Sequence, residues 1–299
     1  MTLGGETMGT TWSLRAGAPE QGLPAGVRER IEAVLNRVIA QMSNWEPESD
    51  ISRFNRAAPG TWLDLPDDFR AVLHAGLGVA RRSGGAFDPA IGQCVDRWGF
   101  GPARREVATE SPAGGFWTAI ELDGARARRT ADVALDFCGI AKGFAVDAVA
   151  HALQDAGLRH FIVEIGGELR GVGVKPDGQP WWVDIEAPPG LALPRTRVAV
   201  SGLSIATSGD YRRYFEDAGI RHAHSIDPQT GAPVLNAVAS VTILPESAML
   251  ADAWATALMV AGPARGADLA AREGLAALIV TRTLGGAREY LSPALTAML

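Results

Sequence analysis

Asp252 and Thr256 lie four residues apart inside "MLADAWATALMV", residues 249–260, an otherwise apolar run of Ala, Leu, Met, Trp and Val without Gly or Pro. At helical spacing the two side chains share one face, one turn apart. Asp is rarely fully buried unless it is paired or bound to a metal. Two readings stand at this point. Asp252 accepts from a neighbouring backbone N–H while Thr256 turns back on its i−4 carbonyl; or the two form an all-oxygen pair, which suits Mg²⁺ and not zinc.

Other blocks are polar or glycine-rich where packing alone does not ask for it. "HAHSIDPQTG" brings His222, His224 and Asp227 close together, with Thr230-Gly231 following. A loop His is often just solvated. Two His at i, i+2 suggest zinc, but a catalytic zinc needs a third protein ligand, and no HExxH or Cys partner stands nearby. A His beside a polar turn fits general-base work better, since its pKa lies near neutrality. "LDFCGIAKGFAVD" sets Gly139 and Lys142 at a strand-to-helix junction, where free N–H groups and a Lys favour phosphate. It is not a Walker loop, and "IGGELRGVG" is not GxGxxG, so the nucleotide fingerprints are absent. The double glycine reads as a tight turn. In "GGAFDPAIGQCVDRWGFG", Asp88-Pro89 signals a turn, Gly92, Gly99 and Gly101 permit close backbone approach, and Trp98 fits a core plug. "MSNWEPESDISRFNR" reads either as a loop entering a capped turn or as a rim where Trp45 stacks on a flat ligand.

The elements that must position these residues follow from periodicity. A first strand is expected over 7–15. The segment "VRERIEAVLNRVIAQMS" has Val27, Ile31, Val34, Leu35, Val38 and Ile39 at helical spacing. A second helix runs from Asp67 to about Ser83, opened by "LPDD" and closed by "SGG". Residues 98–118 read as a surface loop. A strand near "VALDF" then leads into a helix over "AKGFAVDAVAHALQDAG". "HFIVEIGGELRGVGV" reads as strand, glycine turn, strand. "PWWVDIEAP", "TRVAVSGLSIATSG" and "ASVTILP" add further strands. The Asp252 helix follows, then one over "ARGADLAAREG", then a last strand, "LAALIVTR". Strands in meanders with helices packed outside them predict an α+β fold, not a βαβ alternation.

The bulk numbers agree with a globular chain. It has 299 residues, 47% hydrophobic and 21% charged, in a length that suits one large domain or two closely joined ones. A net charge of −6, with arginines only in short doublets, gives no electrostatic reason to expect nucleic acid. Cys94 and Cys138, the two cysteines, make neither a disulfide framework nor a Cys-rich zinc site, and one disulfide between them stays open. No run of about 18 apolar residues predicts a membrane helix. The N-terminal stretch lacks a charged n-region, an apolar h-region and a lipidation cysteine, so as written the expected location is cytoplasmic.

Taken together and in order, the blocks resemble one family, the ApbE-type FAD:protein FMN transferases. They are "ETMGTTWSL", "MSNWEPESDISRFN", "GGAFDPAIGQCVDRWGFG", "LDFCGIAKGFAVDAVA", "IGGELRGVG", "ATSGDYRRYF", "HSIDPQTGAPV" and "SVTILPESAMLADAWATAL", from residue 6 to about 262. Each block alone is a weak match; eight in order are specific. The resemblance implies one ApbE-like (T-fold-like) domain over 1–299, with the active site between its two halves.

It also implies a chemistry. Enzymes of this family bind FAD with Mg²⁺, split its pyrophosphate, and attach FMN through a phosphoester to a Thr or Ser of a target protein, releasing AMP. By similarity, Met8, Trp45, Ala86, Phe87 and Asp88 line the flavin site, and Asp136 and Lys142 fall at FAD-contact positions. Many relatives have Tyr at Trp45, and some have an acidic residue at Lys142; a cation there suits a phosphate. The Mg²⁺ ligands map to the Gly139 carbonyl, Asp252 and Thr256, and the catalytic base to His224. Family acceptors are often subunits of membrane electron-transfer complexes, and many relatives are exported or lipid-anchored. Two rivals remain: a Mg²⁺-dependent FAD pyrophosphatase giving FMN and AMP, and a non-catalytic FAD-binding protein.

Overall fold

The computed structural model describes residues 1–17, 22–102, 114–217 and 219–299. Of the expected 98–118 loop, residues 103–113 therefore lie outside the described residues. Among the described residues, eight strands form one sheet: β1 (Thr2–Thr7), β2 (Thr10–Ala16), β3 (Phe161–Ile165), β4 (Glu168–Val172), β5 (Ser204–Gly209), β6 (Val238–Ile243), β7 (Ala277–Thr283) and β8 (Gly286–Leu291). They lie in that order, and each is antiparallel to its neighbours. A sheet in chain order needs no crossover, which is the α+β arrangement the meanders predict.

The helices are insertions into this meander. Between β2 and β3 come α1 (Val27–Met42), α2 (Asp50–Arg56), α3 (Asp67–Ser83), α4 (Gly92–Arg97) and α5 (Ala141–Asp155); between β6 and β7 come α6 (Ala248–Ala261) and α7 (Pro263–Arg272); α8 (Pro293–Thr296) ends the chain. Strand alternation sorts the sheet into two faces. Phe161, Val163, Ile165, Val241, Ile243 and Ile279 join the helices in the larger core. Ile162, Leu169, Ile205, Ala239, Leu278 and Val280 face the other way, under Trp181, Val198 and Leu295.

α5 and α6 pack against each other and onto the sheet. A Cβ added at Gly143 would stand 2.2 Å from the Ala248 carbonyl oxygen, so only glycine lets α5 come this close. Asp147 of α5 holds the start of α6. Its carboxylate accepts from Ser247 Oγ at 2.8 Å and from the amides of Ala248 and Met249, and it pairs with Arg170 at 2.7 Å. A carboxylate at a helix N-terminus satisfies orphan N–H groups and opposes the dipole favourably.

Three sequence expectations are corrected. The first strand does not run through 7–9. β1 precedes it, and Met8-Gly9 form a two-residue turn with φ 48° and 69°, the left-handed pair that tight hairpins require. "VALDF" is no strand but a single bridge, Ile91 to Ala134. At its centre the Leu135 backbone is taken by side chains: Asn55 bonds Leu135 N and O, and Asn44 also reaches Leu135 O. "LAALIVTR" is not last, because β8 pairs with it. Cys94 and Cys138 are both free, so the open disulfide is not formed. Among the described residues no helix is long and apolar enough to cross a membrane.

Candidate active site

The junction of α5 and α6 gathers the oxygen donors. Asp252 is 4% exposed, and its Oδ2 accepts from the Gly143 amide at 3.1 Å. The helical bonding of α5 begins with Phe144 N to Ile140 O. Gly143 N, which in a longer helix would take the Gly139 carbonyl, is spent on Asp252, and the Gly139 carbonyl stays outside the ladder. A Cβ at Gly139 would lie 3.0 Å from Thr256 Oγ1, so Gly139 and Thr256 are in contact. The Thr256 hydroxyl shares a hydrogen bond with Ser208 Oγ at 3.2 Å instead of turning back on its own helix.

Carboxylate, hydroxyl and carbonyl are hard donors, as Mg²⁺ prefers. Among the described residues no three of His, Cys, Asp and Glu gather as a metal cluster. One carboxylate is a sparse set, and Mg²⁺ bound this way takes its remaining ligands from water and substrate phosphates. The donors present fit that group. Burial raises the Asp252 pKa, and the Lys142 charge and the Gly143 amide pull it back.

Lys142, expected at an FAD-contact position, is ion-paired within the fold. Its Nζ lies 2.5 Å from Glu168 Oε1, with the Glu168 side chain only 4% exposed. Burial works against the ammonium, but the Asp252 and Glu168 carboxylates overcome it and hold its pKa above the ordinary lysine range. Burial in turn pushes Glu168 up to about 7 despite Lys142.

His224 is half-buried, and its Nδ1 lies 3.1 Å from the Arg213 carbonyl. A carbonyl only accepts, so Nδ1 carries the proton and Nε2 keeps its lone pair. Burial lowers the His224 pKa to about 4; the Arg213 carbonyl opposes this, and the Arg213 and Lys142 charges add to it. The imidazole is thus neutral at neutral pH. His222, the other candidate, packs against both Trp98 (5.5 Å) and Phe215 (5.0 Å), which also touch each other at 6.4 Å, so its ring is part of an aromatic cluster.

The expected flavin residues divide into a buried wall and an exposed rim. Ala86, Phe87 and Asp88 are buried, and Phe87 lies beneath Gly139. Asp88 accepts from the amides of Ala90 and Trp117, while burial raises its pKa to about 6 against those bonds. Asp136 is buried and accepts from Cys138 N and Asn44 Nδ2, with its pKa raised by burial. Trp45 is 47% exposed, open for stacking. Met8 is the one non-glycine residue at positive φ among the described residues. Such strain clusters at ligand sites. The β1–β2 hairpin reaches Lys142 through Gly166, whose added Cβ would be 2.9 Å from Thr10 Cγ2 and 3.5 Å from Lys142 Cδ.

Sequence reasoning missed Glu168, Ser208 and Asn44. Glu168 was hidden in a motif that reads as a turn, and the signal was an acid directly after two glycines and before a buried Leu. Among the described residues, the buried side-chain atoms without a partner include Asn44 Oδ1 and Glu168 Oε2. Buried polar groups are usually satisfied, so these two atoms are available to a polar group.

An antiparallel meander with two packed helices inserted between its strands, carrying oxygen donors at their junction, defines the chain as an α+β protein. The ApbE family profile matches residues 8–279, and this chain belongs to the ApbE family. It is 36% identical over 304 residues to the FAD:protein FMN transferase of Haemophilus influenzae, covering 96% of this chain and 88% of that one. It is 37% identical over 301 residues to the protein of the same name from Vibrio cholerae, covering 97% and 90%. The apo crystal structure of the Pseudomonas stutzeri flavinyl transferase ApbE superposes with a TM-score of 0.91 at 36% identity, covering 100% of this chain and 96% of that one.

Proposed function

We propose that this chain is an FAD:protein FMN transferase that requires Mg²⁺ and attaches FMN to a Thr or Ser hydroxyl of a target protein. The observation that carries the reading is the meeting of Gly139, Asp252 and Thr256 where α5 touches α6. Relatives bearing that activity in their names match nearly the whole chain.

The division of labour follows from the side chains. Asp252, Thr256 and the Gly139 carbonyl would hold the cation. When bound, Mg²⁺ offsets the pyrophosphate charge as a Lewis acid. Trp45 offers a face to the isoalloxazine ring, with Met8 and the Ala86–Asp88 wall beside it and Asp136 at the FAD edge. His224 Nε2 takes the proton of the acceptor hydroxyl. The hydroxyl oxygen bonds to the FMN phosphorus, the P–O bond to the AMP phosphate breaks, and AMP leaves with that electron pair. The acceptor suits an exposed Thr or Ser segment, as in a membrane electron-transfer subunit.

Incubation with FAD, Mg²⁺ and a candidate acceptor, followed by mass spectrometry of the acceptor, tests this. The expected result is FMN covalently attached to one Thr or Ser. Free FMN and AMP with unmodified acceptors would make the chain a pyrophosphatase, and unconsumed FAD would make it a flavin-binding protein.

A further inference from the structure

Lys142 stands within electrostatic reach of two buried carboxylates, Asp252 and Glu168, and is bonded to one of them. A half-buried ammonium beside buried carboxylates is drawn to one of them as counter-ion. Were that partner Asp252, the cation would occupy the one carboxylate of the oxygen-donor set and repel a divalent ion there. The fold avoids this by bringing in Glu168. Gly166 and Gly167, at φ 61° and 106°, turn the chain between β3 and β4 through conformations that side chains rarely adopt. The turn places Glu168 at the first position of β4, with Oε1 2.5 Å from Lys142 Nζ. A side chain at Gly166 would begin against the Lys142 stem, 3.5 Å from Cδ.

We infer that Glu168 is a positioning residue for the metal site: by holding Lys142 it keeps that ammonium off Asp252 and leaves the Asp252 carboxylate to a divalent cation. The inference rests on the proposed reading of Gly139, Asp252 and Thr256 as a Mg²⁺ site. In this role Glu168 acts through Lys142, by the Oε1 contact. The double glycine is then the device that seats this carboxylate.

The test is Mn²⁺ affinity of the full chain, read by the electron paramagnetic resonance of free Mn²⁺, so that it does not depend on turnover. Glu168→Gln frees Lys142 to turn to Asp252, and Mn²⁺ affinity is expected to fall about tenfold or more, the scale of one unscreened charge. Adding Lys142→Met to Glu168→Gln removes the competitor, and affinity is expected to return to within about threefold of wild type. Thermal unfolding of each variant reports folding separately. If Glu168→Gln does not fold, Lys142→Met alone carries the test and is expected to bind Mn²⁺ at least as tightly as wild type. Unchanged affinity in Glu168→Gln, failure of the double variant to recover, or weaker binding in Lys142→Met overturns the inference. Wild-type protein that binds no Mn²⁺, or binding untouched by Asp252→Asn, overturns the metal reading itself and this inference with it.

Discussion

The Gly143 amide donates to Asp252 Oδ2 at 3.1 Å, joining two helices whose residues stand 109 positions apart. This one bond orients the carboxylate and takes an N–H that would have engaged the Gly139 carbonyl. It forms only because Gly143 has no side chain, since a Cβ would stand 2.2 Å from Ala248 O and 2.8 Å from Met249 Cα. Gly143→Ala must therefore push α6 away from α5. Overpacking of this kind costs about 1–3 kcal/mol, and the urea midpoint is expected to fall accordingly. Mn²⁺ affinity should fall in the same variant. A variant with wild-type stability and wild-type affinity would show that the close approach has no consequence.

Asp147 carries the other end of that helix contact. Truncating it to Ala leaves Arg170 without its carboxylate and the first amides of α6 without a cap. Breaking a buried charge pair from one side costs about 3–5 kcal/mol, so Asp147→Ala is expected to be among the most destabilising single changes in the chain. Asp147→Asn keeps one acceptor and should lose less. Equilibrium unfolding of the two variants checks the order.

The metal reading gives a sharper chemical expectation. Thr256→Val keeps the shape beside Gly139 and Ser208 but removes the hydroxyl. It should weaken Mg²⁺ dependence, raising the concentration needed for half-maximal transfer. Asp252→Ala should abolish transfer at any Mg²⁺ concentration. Excess chelator should abolish it in the wild type. Full transfer in chelator would remove the metal from the mechanism.

How much of this was legible in the sequence depends on what each residue touches. α1 and α3 form where expected because each buries a continuous apolar face, and α6 because it is an apolar run buried nearly all round. The Asp252–Thr256 face was legible for the same reason, as a polar stripe on a buried helix. "VALDF" misled because its apolar alternation is that of a strand, while Asn44 and Asn55, some eighty to ninety residues earlier, take the Leu135 backbone bonds at its centre. β8, "GAREYL", escaped because an edge strand that is mostly half-exposed carries little hydrophobic pattern. The Glu168 partner of Lys142 was not legible, because local spacing contains no trace of it. Ion pairing across elements is a tertiary fact, and no window of sequence holds both partners.

Trp45 tests the flavin rim. It is 47% exposed, so its removal should scarcely disturb the fold. Stacking of aromatic rings contributes about 0.5–1.5 kcal/mol, so Trp45→Ala should weaken FAD binding by up to about tenfold. Trp45→Tyr retains an aromatic face and should stay close to wild type. Flavin fluorescence titration separates the two. Equal affinity in all three proteins would move the ring elsewhere.

His224 offers the pH test. A general base works unprotonated, so the rate falls as pH drops through its pKa. An unperturbed His would lose half its activity near pH 6.5. Burial instead lowers His224 to about 4, with the Lys142 and Arg213 charges adding to the shift. The base then stays neutral, and the acid limb of the kcat profile is expected well below the ordinary histidine range. Removing a base typically costs about 10²–10⁴-fold in rate, so His224→Ala should reduce transfer by that order while FAD still binds. His224→Ala should also erase the acid limb from whatever activity remains. Arg213→Met should move the limb upward in the intact site, since it removes one repelling charge and leaves the backbone carbonyl on Nδ1. Transfer unchanged in His224→Ala would take His224 out of the mechanism, and a limb near pH 6.5 in the wild type would mean that the imidazole is solvated and not held as described.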